Sequence, residues 1–325
     1  MPLSLDGLID SNDIAEITML KFKKVWLLTG FLGDQIVIKK DSVYTKQYDS
    51  VNPIVEAVAP DATLRILAAS EVASLNNYVI RFTKLTSDWQ NHQATYRANE
   101  APAIAALKVV LTFPEPFVKM RAVRVTDLEK ALAKRLAPNA DKKDLRTFTA
   151  TLNASGGLER LGEIIAVDLF NGNTDRFYPG GSGLDTTIGG MTFQLRSLVN
   201  VGNVFKIMTD AGNQVGALDF VDPNSPFKDI DQDLATAEQG EGWQGRLLAD
   251  RTKRKNFAKD VVGDLEKLLN PHKGRFSLRH KLNRNAAERV EHGMVEGTRL
   301  IKKKLASLSP TRQGVQQRLQ VIQHI

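Results

Sequence analysis

Three oxygen-bearing side chains stand out by type and spacing: Asp175 in NGNTDRF, Asn203 just before VFKIM, and Asp219 at the end of QVGALD. A hairpin that starts at an Asn and finishes at an Asp brings both side chains to one end, where their oxygens suit magnesium. A further Asp, on a loop anchored by a helix, can orient or deprotonate an attacking hydroxyl. This is the division of labour in phosphoryl transfer, which also asks for a distant Lys on the nucleotide phosphates. That Lys belongs on a strand just after a glycine-bearing hairpin, and Lys39 in QIVIK meets the requirement.

The elements that must position these groups can be read from pattern. VWLL and QIVIK, joined by TGFLGD, form a hairpin signal, because Gly30 and Gly33 permit the turns that the connection needs. NPIVEAVAP predicts a short helix with Pro53 near its start and Pro60 stopping it. TLRILAAS, YVIRFTKL, ALKVVLTF and FVKMRAVRV read as strands, so the first 125 residues are expected to be β-dominated. From Thr126 the pattern turns helical, in TDLEKALAKRL and then in Leu158 to Phe170, whose apolar residues are spaced for a helix face. YPGGSGLDTTIGG is too rich in glycine for regular structure. VFKIM and QVGALDFV, separated by TDAGN, form a small hairpin, and helices resume from about Asp233. The expected fold is α+β with two lobes: a β-rich one over 1–125 and a mainly helical one over 126–325.

Composition narrows the chemistry. The chain of 325 residues has no cysteine, which removes disulfides, thiolate metal sites and cysteine nucleophiles together. Its five histidines show no HExxH-like spacing, so any metal is expected on oxygen ligands. No apolar run approaches the ~18–20 residues that a membrane-spanning helix needs. The N-terminal segment carries acidic residues where a secretory leader would need a basic end, so no such leader is expected. From Arg251 onward 18 Lys and Arg face 6 Asp and Glu, a tail of +12 on a chain of net +7. Such a tail suits an anionic membrane or another acidic partner. Nucleic acid is disfavoured, because the KRK and KKK runs lack interleaved aromatics or a reading motif.

DLFNGNTDRF from Asp168, followed by GN at 202–203 before VFKI and by ALD at 217–219, resembles the catalytic region of the actin-fragmin kinase family. It is also similar to the Asn-x-Asp-Arg loop of the type II phosphatidylinositol kinases; both are atypical members of the protein-kinase-like fold. The match runs from Leu161 to Asp222 and extends weakly through the hairpin with Lys39 and PIVEAVAP. The resemblance implies Asp175 as the catalytic aspartate, Arg176 as its loop partner, and Asn203 and Asp219 as magnesium ligands. Lys39 would bind the phosphates of ATP and pair with Glu56, with Glu71 an alternative on register. Alternation puts Lys39 on one strand face and Lys40 on the other without choosing between them, and the family's Val/Ile-Lys pattern favours Lys39. Gly30 and Gly33 would cover the nucleotide, and Met120 with Arg121 would stand at the hinge by position. Asp168 and Asn173 are expected to cap or brace the loop.

Two departures accompany the likeness. Asn203 follows Asp175 by 28 residues, whereas the usual kinase loop has its Asn five residues after the Asp. Phe220-Val221 follows the metal Asp in place of Phe-Gly. The expected activity is an ATP- and magnesium-dependent kinase acting on protein Ser/Thr, with actin or a host signalling protein as the substrates implied. A lipid or inositol headgroup is the alternative acceptor, and a catalytically inactive kinase-like binding module the alternative class. The expected setting is cytoplasmic, including the host cytoplasm for a secreted bacterial effector.

Overall fold

The computed structural model describes residues 2–21, 24–89, 100–113, 116–125, 143–173, 176–177, 187–188, 191–192, 214–216, 219–221, 225, 227, 229–234, 243–270 and 281–325. The expected helix at TDLEKALAKRL and the expected strand VFKIM lie outside them, as do Asp175 and Asn203. The architecture is α+β, and the chain divides into two compact units. One contains Met1–Tyr48, Asp61–Val123 and Val215–Leu218; the other contains Asp49–Pro60, Arg124–Gln214 and Asp219–Ile325.

The first unit is built on an antiparallel sheet of five strands: β1 (Ile14–Lys21), β2 (Val25–Gly30), β3 (Gln35–Lys40), β4 (Leu64–Ile66) and β5 (Phe117–Arg121). Their order is β1-β2-β3-β5-β4. The expected β2–β3 hairpin is present. Gly33 turns it with φ of 82° and donates to the Gly30 carbonyl at 3.0 Å. A Cβ added at Gly30 would stand 2.5 Å from the Asp34 carboxylate, which would have to shift to admit it. After β3, Asp41 caps helix α1 (Ser42–Lys46) by accepting from the Val43 and Tyr44 amides.

Helix α2 (Tyr48–Val58) belongs to the second unit. It starts earlier than NPIVEAVAP implied, so Pro53 lies inside it and not at its start.

Two of the expected strands are helices. YVIRFTKL lies within α3 (Ala69–Trp89), and ALKVVLTF largely within α4 (Ala101–Leu111). The physical reason is spacing: Leu75, Tyr78, Val79 and Phe82, and then Ala103, Ile104, Leu107 and Val110, recur every three to four residues and are buried together. They cover one sheet face, against Trp26, Leu28, Ile36, Ile38 and Phe117. The Trp26 indole N–H donates to the Ala103 carbonyl at 3.2 Å. A β-dominated first 125 residues is therefore corrected, since their longest element is the 21-residue helix α3.

A further strand, β6 (Val123–Val125), follows β5. Helix α5 (Lys143–Asn153) then leads to α6 (Gly157–Asn171), the helix expected over Leu158 to Phe170. Between α6 and the C-terminal helices come the short strands β7 (Thr187–Ile188), β8 (Met191–Thr192) and β9 (Gln214–Gly216), of which β7 and β8 pair with each other. The remaining helices are α7 (Arg246–Ala249), α8 (Arg251–Leu269), α9 (Ala286–Leu308) and α10 (Gln313–Val321). Among the described residues no helix is long and apolar enough to cross a membrane.

α6 is the pillar of the second unit. Ile164, Ile165, Val167, Leu169 and Phe170 are all buried, so apolar side chains surround it instead of forming one stripe. α9 lies beside it in the same direction at a close approach that only glycine allows. A Cβ on Gly162 would fall 2.1 Å from the Val290 carbonyl oxygen, and one on Gly293 would fall 1.9 Å from that of Glu159. Arg289 on α9 grips Glu159 on α6 with two hydrogen bonds of 2.7 Å.

Candidate functional site

The site is built at the C-terminal end of α6, where a helix leaves its last carbonyls without intrahelical partners. Gly172 ends the helix in the left-handed region at φ 75°, and a Cβ there would stand 2.7 Å from the Phe227 Cβ. Its amide bonds the Leu169 carbonyl at 3.3 Å, and the Asn173 amide bonds that of Asp168 at 2.8 Å. The Gly172 carbonyl accepts from Ser225 Oγ, and that of Phe170 from the Arg318 guanidinium at 2.7 Å. The polar run after the apolar helix thus begins from a terminus whose carbonyls are held from several sides.

Asp168, fully buried on the last turn of α6, anchors the loop that leaves the helix. Arg176 donates to its carboxylate through Nε at 2.7 Å and Nη2 at 3.0 Å, and Asn173 Nδ2 donates at 2.7 Å. Burial pushes the Asp168 carboxyl up from its usual range; the Arg176 guanidinium and the Asn173 amide pull it down, and nearby Asp219 adds to the upward push. The three donors give this buried carboxylate its compensation. The bracing expected of Asp168 and Asn173 is therefore a direct clamp on the loop.

Arg176 also reaches across the sequence. Its Nη2 donates to the Asp219 carbonyl, and the guanidinium lies 4.8 Å over the Phe220 ring. Asn171 Nδ2 donates to the Phe220 carbonyl at 3.4 Å, and Asp219 Oδ1 accepts from the Val221 amide at 3.2 Å. Two stretches singled out in sequence, NTDRF and ALDF, thereby meet through Arg176.

The residues expected to bind nucleotide have the following partners. Lys39, on β3, has its Nζ 2.5 Å from the Asp41 carboxylate, while Glu56 lies 3.5 Å from Lys304 Nζ. Lys40, on the opposite strand face, places its ammonium 4.8 Å over the Phe113 ring. Gly30 and Gly33 form the β2–β3 turn. Met120 is buried in β5, in register with Val37 and Leu64. Glu71 pairs with Lys119 at 2.9 Å, both nearly fully buried. It also accepts from the Ile9 and Ala68 amides, and Lys119 donates to the Gly7 carbonyl at 2.6 Å. Among the described residues no three His, Asp or Glu side chains cluster as a metal centre, and of the expected magnesium pair only Asp219 is described.

Sequence reasoning missed Lys119, Ser225, Trp243 and Arg318. Lys119 carried no signal of its burial: alternation puts it on the strand face opposite Val118 and Met120, which reads as solvated. Arg318 carried none, being 148 positions from the carbonyl it holds. Comparison of the chain with family models, with curated proteins and with solved structures gives no match.

Proposed function

We propose that the protein is an ATP- and magnesium-dependent kinase that transfers the γ-phosphoryl group to a hydroxyl, with Asp175 as the catalytic aspartate. The observation that carries this reading is Arg176 bonded at once to the Asp168 carboxylate and to the Asp219 carbonyl. It joins the loop expected to orient the acceptor to the segment expected to hold the metal. Two further observations favour it: the antiparallel sheet order β1-β2-β3-β5-β4, and Lys39 one residue from the end of β3.

Oxygen donors such as the Asp219 carboxylate fit magnesium, and Asn203 would complete the pair. Bound magnesium supplies neutralisation of charge on the β- and γ-phosphate oxygens. In this reading Asp175 takes or orients the acceptor's proton, and Lys39 fixes the nucleotide phosphates. Arg176, spent on Asp168 and Asp219, orients the loop and does not contact substrate. Protein Ser/Thr is the acceptor that the family likeness favours. An inositol headgroup on an anionic membrane is the second reading, supported by the exposed cations Arg251, Lys253, Lys255 and Lys259 along α8.

Transfer from γ-labelled ATP tests the proposal. Asp175→Asn and Asp219→Asn are each expected to abolish it while the folded CD spectrum is kept. Transfer at the wild-type rate by either variant removes the assignment.

A further inference from the structure

At the back of the candidate loop stands a buried cation that neither the family likeness nor the proposed chemistry uses. Arg318, on the C-terminal helix α10, has no solvent exposure and, among the described residues, no carboxylate at ion-pair distance. Its guanidinium is received by main-chain carbonyls: Phe170 at 2.7 Å, Asp229 at 3.1 Å and Phe227 at 3.5 Å. One face lies 5.3 Å over Trp243, whose ring meets Phe170 edge-on at 6.1 Å. Burial pushes the guanidinium down to about 10, and Asp229 and Asp231 partly offset this. The charge faces the negative end of the α6 dipole, which favours a cation there.

The carbonyls it binds belong to two separate stretches. Phe170 is on the last turn of α6, two residues before the Gly172 cap, while Phe227 and Asp229 lie in the segment after Asp219. α10 is itself seated firmly on that second stretch. A Cβ on Gly314 would fall 2.2 Å from the Gln232 carbonyl, Gln317 and Gln313 donate to Asp233, and Arg312 pairs with Asp231. The planar fork of an arginine can bridge two such stretches, whereas a lysine ammonium acts as a point charge.

We infer that Arg318 is a positioning residue: one guanidinium ties the end of α6 to Phe227 and Asp229 and so fixes where Asn173 and Arg176 stand. The C-terminal helix is thereby part of the site's support. The consequence for catalysis rests on the kinase reading; the consequence for loop order does not.

The test uses the full chain with Arg318→Met and Arg318→Lys, read by hydrogen exchange and by steady-state transfer from ATP. In Arg318→Met, protection of the Gly172 and Asn173 amides is expected to fall by about tenfold or more while α9 amides stay within about twofold. kcat is expected to fall by about tenfold or more with KM for magnesium-ATP within about twofold, because misplacement acts on the transition state. Arg318→Lys should lie between the two. Wild-type protection in a folded Arg318→Met, or equal loosening of α9 and the loop, overturns the proposal. Should the Met variant not fold, wild-type protection at Gly172 and Asn173 in Arg318→Lys overturns it instead. A wild-type protein without transfer activity would defeat the kinase reading, and the exchange measurement would still decide the role of Arg318.

Discussion

Replacing Arg176 by Met removes the guanidinium but keeps much of the apolar stem over Phe220, leaving Asp168 in a site with no solvent access. A carboxylate buried there loses two of its three charged-form donors and keeps only Asn173. It will take a proton instead of remaining charged. Holding that proton at pH 7 against an ordinary Asp value of ~3.9 costs at most about 4 kcal/mol, at about 1.36 kcal/mol per unit. Burial already raises Asp168 in the wild type, so part of this cost is present before the mutation and the expected loss is about 2–4 kcal/mol.

The direction of the pH dependence is fixed by the same shift. In the variant the folded pKa of Asp168 stands further above its unfolded value, so its contribution is most favourable below the unfolded value and is lost as pH rises through the folded one. Urea unfolding of wild type and Arg176→Met, followed by tryptophan fluorescence from pH 4 to 8, should show a gap in stability that widens as pH rises. Asp168→Asn/Arg176→Met removes the titrating group, and its stability relative to wild type should lose that widening. A gap that is the same at pH 5 and pH 8, or below about 1 kcal/mol at pH 7.5, refutes the clamp as a buried, charge-compensated pair.

The contact of α6 with α9 gives a second expectation. Gly293→Ala places a methyl against the Glu159 backbone and should destabilise by about 1–3 kcal/mol in urea despite alanine's better helix propensity. Gly263→Ala on α8 meets nothing within 4 Å and should instead stabilise by about 0.5–1 kcal/mol. A third concerns acid. The hydrogen bonds from Arg289 hold Glu159 below its usual value, so their contribution is present above that value and lost as pH falls through the depressed one. The melting temperature of Glu159→Gln should accordingly lie below wild type near neutrality and converge with it in acid.

How far the sequence speaks differs by element. The β2–β3 hairpin was legible because two glycines mark its turn, and α6 because its apolar spacing is long and ends in Asn-Gly-Asn. α3 and α4 were misread because eight-residue windows such as YVIRFTKL are apolar enough for either structure. The helical period shows in Leu75, Tyr78, Val79 and Phe82 together, and a window that starts at Tyr78 leaves Leu75 out. At the site, Asp168, Asn173 and Arg176 lie within nine residues and could be suspected of local bracing. The pairing of Lys39 with Asp41 is equally local, two residues apart, yet a strand lysine followed by an N-cap aspartate reads first as solvated. Arg318, Trp243 and Lys119 act over long sequence separations, and side-chain type alone does not announce a buried cation.

The proposed kinase function requires magnesium-dependent binding of ATP in which Asp219 takes part. Calorimetric titration of the full chain with ATP, with and without magnesium, tests it most directly. The account predicts saturable binding in the micromolar to millimolar range typical of enzyme substrates, dependent on magnesium and lost in Asp219→Asn. Absence of heat at millimolar magnesium-ATP, or binding indifferent to both magnesium and Asp219, would contradict it.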